Sequence, residues 1–471
     1  MRETDGTSEQ ISRCMSSGPL SSAALQARLG MSQATLSRTI QKNASQFVTL
    51  RLHGVRTPQY GQLRALTGVK AIQATYRIDE AGRVHPFAEL MFLRGGATVM
   101  SRREVESGSR GKGGGLHQAL FAGLPPAMAF AAPTGFLGRA LAAESARTLA
   151  VPASLAVWSD DHRIIHLCAA SPDTPGNFIF GDASLSLWIE RLETAPTPAP
   201  IAVDLKPTSY VEIATQLTQS GASSSAGGEQ PKFLCETEDQ GHVLVKFAKA
   251  GSRASDLLAL ENLALRALNA TGLNAAASQY FENAGIAFLE VQRFDRVGRR
   301  GRRGVVSAGA YDDEVFGRRD SWAEFADRCE STRVLLPSAA QNIRTLAAFG
   351  QLIGNTDMHF ENLSLMLGDD GAPTDVSPAY DMLPMQYATL GAGMDPPLKV
   401  VTPKVGAIGA RPVVWKNAFD AALWFWQRAA TDATISKSMR AAAKLNAAAI
   451  SAFVAPLLPA AASPSAKKLR R

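Results

Sequence analysis

The chain has few cysteines and no long apolar run. Its 471 residues contain four cysteines, which lie far apart at Cys14, Cys168, Cys235 and Cys329 without a Cys-x-x-Cys pair. Neither a disulfide framework nor a cysteine-based metal site is therefore expected, and unpaired thiols are typical of the cytosol. No apolar stretch reaches the roughly 18 residues that would predict a transmembrane helix, so we expect no membrane partner.

Acidic residues are missing near one end of the chain. No Asp or Glu occurs between Gln10 and Ile78, although that stretch carries nine basic residues. The nine are Arg13, Arg28, Arg38, Lys42, Arg51, Arg56, Arg64, Lys70 and Arg77. A field of one sign that is confined to one end indicates a module that binds a polyanion such as double-stranded DNA. A solvated basic face without a partner is the alternative interpretation.

The same stretch contains a helix-turn-helix pattern. A first helix is predicted from an N-cap at Ser21-Ser22 to Gly30, and a second over 33–42 with Ser32 as its N-cap. An alternating strand over 47–52 follows, and a helix-turn-helix before a hairpin is the order of a winged helix. The predicted DNA contacts are Gln33, Thr35, Ser37, Arg38, Lys42, Arg51 and Arg56. A small helical domain used for protein contacts is the alternative.

Shifts in composition divide the chain into five predicted segments. The Pro-rich stretch 194–200 marks a boundary, and beyond residue 204 the pattern becomes that of a two-lobed, kinase-like phosphotransferase. We therefore predict an α+β protein. Its segments are a winged helix over 1–75, a further subdomain over 76–200, an N-lobe over 201–305, a helical C-lobe over 306–460 and a disordered basic tail over 461–471.

The segment after residue 220 has the features of a nucleotide-binding lobe. A loop dense in small residues, 223–232, can wrap phosphate oxygens with its backbone N–H groups. Lys246 lies near the end of the second strand that follows, where a lysine can pair with nucleotide phosphates. Glu261, on the amphipathic helix after it, can pair with Lys246 and fix its direction. A solvent-facing strand lysine and an ordinary surface helix are the alternatives.

An apolar strand over 286–294 ends where the two lobes should join. Backbone groups from Gln292 to Phe294 are predicted to hydrogen-bond an adenine. A buried strand without a ligand would have the same sequence pattern, so this placement depends on the order of the segments alone.

The most informative motif is Asn-Thr-Asp-Met-His-Phe-Glu-Asn over 355–362. An Asp followed five residues later by an Asn is the catalytic-loop spacing of phosphoryl-transfer enzymes. In such loops the Asp, here Asp357, orients the acceptor hydroxyl and accepts its proton, whereas the Asn, here Asn362, binds magnesium. Asp381 follows a predicted hairpin and supplies a second carboxylate for the metal. This spacing often arises by chance. The catalytic-loop interpretation is supported mainly by Lys246 and Glu261, which precede the motif in the expected order.

Taken together, these motifs resemble the HipA family of bacterial toxin–antitoxin Ser/Thr kinases. The matching segments are 225–232, 245–247, 292–296, 354–362 and 377–381, in the family's order between residues 205 and 455. The helix-turn-helix and the Gly-Phe-Leu-Gly-Arg segment at 135–139 look like the YjjJ-type branch, in which a DNA-binding module is fused to the kinase-like body.

The resemblance implies that ATP and Mg²⁺ are the cofactors. It makes Asp357 the catalytic base with His359 beside it, and it makes Asn362 and Asp381 the magnesium ligands. The residues implied to hold the nucleotide are Ser225, Gly227, Gly228, Lys232, Lys246, Gln292 and Phe294. Ser225 also matches a position at which family members autophosphorylate, which expels the loop and switches the kinase off.

The sequence therefore predicts an ATP- and magnesium-dependent protein Ser/Thr kinase that is the toxin of a type II toxin–antitoxin system and carries its own DNA-binding domain. Residues 76–200 would be the HipA-like N-terminal subdomain. Expected partners are double-stranded DNA, a protein substrate, and an antitoxin or a second copy of the chain; the expected location is the cytoplasm, at the nucleoid. Three alternatives stay open: a DNA-binding regulator with a kinase-like sensor body, a small-molecule phosphotransferase, and a toxin that acts directly on nucleic acid.

Overall fold

The computed structural model describes residues 2–103, 116–193, 199–219, 229–390 and 393–458. The chain forms two compact units. The first is built from Met1–Ala199 with Asp295–Val306, and the second from Pro200–Phe294 with Ser307–Arg471. Three predicted nucleotide-binding residues (Ser225, Gly227 and Gly228) and the predicted tail over 461–471 lie outside the described residues.

Up to residue 199 helices and strands are mixed. The helices are α1 (Arg2–Cys14), α2 (Ser22–Leu29), α3 (Gln33–Lys42), α4 (Pro126–Ala131), α5 (Gly135–Ser145), α6 (Asp160–Ala169) and α7 (Asp182–Glu193). The strands are β1 (Leu20–Ser21), β2 (Phe47–Leu50), β3 (Gln59–Gln62), β4 (Ile72–Ile78), β5 (Val84–Phe92), β6 (Thr98–Arg103), β7 (Leu116–Phe121) and β8 (Phe178–Phe180).

Beyond residue 200 a single helix precedes the first strands, and helices dominate later. The strands are β9 (Lys232–Thr237), β10 (Gly241–Lys249), β11 (Ser278–Asn283), β12 (Ile286–Gln292), β13 (Arg296–Val297), β14 (Gly301–Arg302), β15 (Gly304–Ser307), β16 (Ser364–Leu367) and β17 (Pro373–Val376). The helices are α8 (Lys206–Gln219), α9 (Arg253–Ala270), α10 (Ala308–Val315), α11 (Trp322–Ser331), α12 (Pro337–Ile353), α13 (Pro412–Ala429) and α14 (Lys437–Val454).

Helices α1 to α3 and a small antiparallel sheet, β1-β3-β2, form the N-terminal part of the first unit. The hydroxyls of Ser21 and Ser32 cap α2 and α3, and Gly30 ends α2 with a φ of 63°. Apolar side chains from the three helices and two strands share one core: Ile11, Met15, Leu25, Leu36, Ile40, Phe47 and Tyr60. The predicted caps are therefore confirmed, whereas the winged-helix domain and its DNA role stay predictions.

This N-terminal part is anchored to a second antiparallel sheet, whose strand order is β7-β6-β5-β4-β8. One apolar cluster joins the two: Leu50, Met91, Leu93, Ala97 and Val99. The N–H of Arg51 also donates to Gln118 Oε1 at 2.6 Å, and the N–H of His53 donates to Gln118 O at 3.1 Å. A shared core of this kind fixes the helices to the sheet instead of leaving them on a linker. Strand β4 crosses residue 75, where the sequence places a boundary.

The segment Asp295–Val306 packs with the first unit, although the sequence places it in the N-lobe. The carboxylate of Asp295 accepts the N–H of Gly176 at 2.9 Å and pairs with Arg296 at 2.7 Å. The Arg296 guanidinium reaches Asp173 at 2.5 Å as well. The contacts with Gly176 and Asp173 join residues 119 and 123 positions apart in sequence, so no local pattern would have placed the segment.

The second unit contains an antiparallel sheet of order β11-β12-β10-β9. Helix α9 contacts β10, β11 and β12 and also α13, so it is buried on nearly all sides from Ser255 to Leu268. The expectation that this helix is amphipathic is therefore wrong, because a helix packed between a sheet and another helix has no solvated face.

The rest of the second unit is mostly helical, as predicted. The indole N–H of Trp426 on α13 donates to Leu352 O on α12 at 3.0 Å, and the N–H of Ser436, which caps α14, donates to Asp256 on α9 at 2.7 Å. The first contact ties α13 to the end of α12, just before the 355–362 motif, and the second ties α14 to α9. In the described ranges no helix is long and apolar enough to cross a membrane.

Candidate active site

Helix α12 leads directly into the predicted catalytic loop. Gly354 ends the helix in the left-handed conformation, with a φ of 74°. The N–H of Asp357 then donates to Asn355 Oδ1 at 3.0 Å, and Asn362 Nδ2 donates to Asp357 O at 3.0 Å. These bonds fix the backbone on both sides of Asp357, while its carboxylate stays 47% exposed. A carboxylate that is fixed but accessible can accept a hydrogen bond from an acceptor hydroxyl that enters from solvent.

Gly354 is required by both its conformation and its surroundings. A Cβ there would lie 2.8 Å from Gln386 Cδ and 2.9 Å from Val401 Cγ1. Gly354→Ala should therefore lower the free energy of unfolding by about 2–4 kcal/mol, combining left-handed strain with crowding. Gly272→Ala is the matched control, because Gly272 has a φ of 82° and open space around it, and it should lose only about 1–2 kcal/mol. Equal losses in urea denaturation would contradict the crowding.

His359 stands between two carboxylates. Its Nε2 lies 3.8 Å from Asp357 Oδ1, and its Nδ1 lies 3.3 Å from Glu361 Oε2. Its carbonyl accepts the indole N–H of Trp322 at 3.2 Å. The separation from Asp357 exceeds a hydrogen bond, so His359 shapes the loop beside Asp357 in this arrangement.

Arg319 and Tyr380, which the sequence analysis did not identify, both contact Glu361 and so brace the same loop. Glu361 pairs with Arg319, whose Nη2 also lies 2.6 Å from Asp313 Oδ2. The hydrogen bond to Asp313 and the pairing with Glu361 raise the pKa of Arg319 above its ordinary value. The hydroxyl of Tyr380 donates to Glu361 O at 2.8 Å. No spacing rule signals this brace, because 42 residues separate Arg319 from Glu361.

Lys246 is held by two carboxylates from distant parts of the second unit. Its Nζ lies 2.8 Å from both carboxylate oxygens of Glu261 on α9, so the contact expected from the sequence is present. Nζ also contacts Asp381 Oδ1, which the sequence did not predict. The side chains of Lys246, Glu261 and Asp381 are 10%, 1% and 35% exposed. This charged triad is thus largely withdrawn from water.

One ammonium faces two carboxylates in the charged triad. Burial alone would lower the pKa of Lys246, but the charges of Asp381 and Glu261 outweigh it and raise that pKa. Burial would raise the pKa of Asp381, but the charge and hydrogen bond of Lys246 lower it. The pKa of Glu261 is raised, because its burial outweighs the charge of Lys246. Because the charged triad has two carboxyl groups and only one ammonium, it favours binding of a cation at Asp381, which is more exposed than Glu261.

Asp381 and Asn362 offer oxygens of the kind that magnesium prefers. The Asn362 Nδ2 is engaged by Asp357 O, which leaves Asn362 Oδ1 as a ligand. Magnesium is usually held by one or two protein oxygens together with substrate phosphates and water. In the part of the chain that the structure describes, no cluster of three or more His, Cys, Asp or Glu side chains is arranged to hold a metal. One carboxylate and one amide oxygen are ligands of the kind that magnesium uses when it binds together with a nucleotide.

Lys232 lies across the sheet from Lys246, since the two are register partners on β9 and β10. Burial, followed by the charge of Lys246, lowers the pKa of Lys232. Two neighbouring lysines of this kind attract an anion, which would relieve their mutual repulsion. The structure thus brings Lys232 and Lys246 together as a phosphate site requires.

The structure reduces the number of backbone groups at the end of β12 that could bind an adenine. The N–H of Gln292 donates to Ala277 O at 2.8 Å, and the N–H of Arg293 donates to His242 O at 2.9 Å. Neither N–H is thus available to an adenine without breaking a bond of the sheet. Phe294, whose ring lies 5.8 Å from that of Tyr380, stays the candidate in this segment.

The predicted DNA contacts belong to the first unit and differ in their surroundings. Four cationic ones are exposed, whereas Ser37 is half-buried; the four are Arg38, Lys42, Arg51 and Arg56. Gln33 is exposed but makes hydrogen bonds within the chain, because its Nε2 donates to Tyr60 OH at 3.2 Å and its Oε1 accepts from Gln26 at 2.8 Å. The Thr35 hydroxyl lies 3.0 Å from Ser32 Oγ at the helix cap. Gln33 and Thr35 thus also have structural roles that the sequence did not show.

An open cavity of about 610 Å³ lies beside Asp357. The catalytic loop from Gly354 to His359 forms one part of its lining. The other part is formed by Gln351, Gln386, Thr402 and Lys404. A pocket next to the proposed base is where an acceptor hydroxyl would enter.

The chain is similar to known proteins along most of its length. Residues 70–189 match the family model described as the middle domain of YjjJ-like toxins, and residues 224–451 match the HipA-like C-terminal domain. Toxin YjjJ of Escherichia coli (strain K12) is 34% identical over 438 residues, which cover 90% of this chain and 93% of that protein. The chain belongs to the YjjJ-like toxin family. The resemblance to the HipA family and to its YjjJ-type branch is thereby confirmed.

Two solved structures are also similar to this YjjJ-like chain. The HipA toxin of Shewanella oneidensis MR-1, solved with HipB and its operator DNA, is 16% identical with a TM-score of 0.47 and covers 82% of this chain and 96% of its own. The proinflammatory kinase CtkA of Helicobacter pylori is 9% identical with a TM-score of 0.36 and covers 49% of this chain and 94% of its own.

Proposed function

We propose that this YjjJ-like chain is an ATP- and magnesium-dependent protein Ser/Thr kinase. The observation that carries the proposal is the contact of Lys246 with both Glu261 and Asp381. A phosphate lysine, its orienting glutamate and a metal-binding aspartate are the parts that kinases must bring together. Asp357 and Asn362 supply the remaining two parts on one hydrogen-bonded loop.

Each residue has a defined task in this proposal. Lys246 binds the nucleotide phosphates, and Glu261 orients the ammonium of Lys246 towards them. Asn362 and Asp381 hold Mg²⁺, which when bound offsets charge on the transferring phosphoryl group. Asp357 orients the acceptor hydroxyl and takes its proton on the carboxylate.

Family membership supports a toxin role for the chain. We propose that it acts in a type II toxin–antitoxin system and that Ser225 is its autophosphorylation site. An antitoxin or a second copy of the chain would then be the regulatory partner, and the location would be the cytoplasm.

Transfer of the labelled γ-phosphate of ATP tests the kinase proposal. With magnesium, label should enter protein, either this chain or proteins of a cell extract, and chelation of magnesium should abolish it. Label in small metabolites alone would instead indicate a small-molecule phosphotransferase. Absence of both nucleotide binding and transfer would favour a regulator with a sensor body.

We further propose that the N-terminal part binds double-stranded DNA. The exposed cations Arg38 and Lys42 lie on α3, and replacing both by Ala should reduce the slope of log affinity against log salt by about 2. The full chain is the right material, because the N-terminal helices share a core with the middle sheet. Lys444→Ala, an exposed lysine of the second unit, is the control and should leave the slope unchanged. Salt-independent binding by the unaltered chain would refute the proposal.

A further inference from the structure

The wall of the cavity outside the predicted catalytic loop includes Thr402 and Lys404, which belong to the segment 399–404. The N–H of Val401 donates to Asn446 Oδ1 at 3.0 Å, and Asn446 is fully buried. The N–H of Lys404 donates to the side chain of Gln351 at 3.3 Å. Gln351 lies on the last turn of α12, just before the catalytic loop. The wall and the loop are thus held together by hydrogen bonds within the second unit.

This wall is cationic. No Asp or Glu occurs from residue 396 to 419, and the stretch contains Lys399, Lys404, Arg411 and Lys416. The latter two are already neutralised, since Arg411 pairs with Asp327 and Lys416 with Asp420. Lys399 and Lys404 are exposed and make no ion pair within the described residues. Their charge is therefore available to a bound molecule.

The wall also has unused backbone groups. Val400 and Thr402 are exposed, whereas Val401 between them is buried, which is the alternation of an extended strand. Among the described residues, the N–H and C=O groups of Val400 and Thr402 have no hydrogen-bond partner. An extended polypeptide can add to such an edge through main-chain bonds, which a small metabolite cannot do.

We propose that the segment 399–404 binds the acceptor as an extended acidic polypeptide, with its serine or threonine hydroxyl directed to Asp357. This deepens the proposed kinase function and rests on it. Lys399 and Lys404 select carboxylates near the acceptor residue, and Val400 and Thr402 hold its backbone. A nearby cation on a fixed wall favours an anionic partner and disfavours a cationic one.

Charge-swapped peptides test this acceptor site directly. Three synthetic peptides share one central serine, which is flanked by aspartates, asparagines or lysines. Their binding to the full chain is measured by fluorescence anisotropy at low and high salt, and phosphoryl transfer to each is measured separately. The aspartate peptide should bind roughly tenfold more tightly than the asparagine peptide at low salt, and the lysine peptide should bind least.

The double variant Lys399→Glu with Lys404→Glu should reverse the order, so that the lysine peptide binds best. Misfolding cannot produce such a gain. Lys444→Glu makes the same type of substitution with half the change in charge on α14, outside the cavity lining, and should keep the original order. Equal binding of the three peptides, or an unreversed order in the double variant, would overturn the acceptor site. Charge-selective binding without any phosphoryl transfer would instead retain the acceptor site and refute the kinase proposal.

Discussion

Replacing Asp357 by Asn should abolish phosphoryl transfer while leaving nucleotide binding nearly unchanged. The amide keeps the size of the side chain but cannot accept the acceptor's proton. We expect the rate to fall by about a hundred- to ten-thousand-fold, the usual contribution of a general base. Single-turnover transfer measures the first quantity, and titration with a fluorescent nucleotide in magnesium measures the second.

The backbone around Asp357 should survive the change. The bonds that fix it use the N–H of Asp357, its carbonyl, Asn355 and Asn362, and none of them uses the carboxylate. Asp375→Asn, on an exposed residue of β17, is the matched control and should retain the full rate. Activity of Asp357→Asn within tenfold of the unaltered chain would show that another group is the base.

Replacing Lys246 by Met should have the largest effect on stability. Glu261 is 1% exposed, and without the ammonium its buried carboxylate loses its partner. Breaking a buried pair from one side costs about 3–5 kcal/mol. Thermal and urea denaturation of the full chain should show this loss in the transition of the second unit, together with loss of nucleotide binding.

The double variant Lys246→Met with Glu261→Gln separates charge from packing. Because only the more exposed carboxylate of Asp381 then stays without its ammonium partner, much of the stability should return, although nucleotide binding should not. Lys249→Met, on an exposed lysine of the same strand, should change stability by only about 0.5 kcal/mol. A Lys246→Met variant as stable as Lys249→Met would contradict the role of the charged triad.

The sequence predicted the parts of this site whose residues follow a local pattern. The Asp357 to Asn362 spacing lies within one loop, and the Lys246 to Glu261 contact joins neighbouring elements. The contact of Lys246 with Asp381 spans 135 residues, so only the folded chain reveals it. Likewise, the brace of Arg319 on Glu361 depends on tertiary packing and leaves no periodic signal.

Prediction of the fold was likewise limited to features that depend on residues close together in the sequence. Helix caps at Ser21 and Ser32 were predictable because a cap is set within four residues. The burial of α9 on nearly all sides was not, since it depends on α13, which lies far along the chain. The anchoring of the N-terminal helices by Gln118 was hidden for the same reason.

The most direct test of the kinase proposal is mass spectrometry of the full chain after phosphatase treatment and incubation with ATP and magnesium. We expect one added phosphoryl group, mapped to Ser225. We expect no addition in Asp357→Asn or without magnesium. An unmodified wild-type chain that also transfers no phosphate to other proteins, or equal modification of Asp357→Asn, would contradict the kinase proposal.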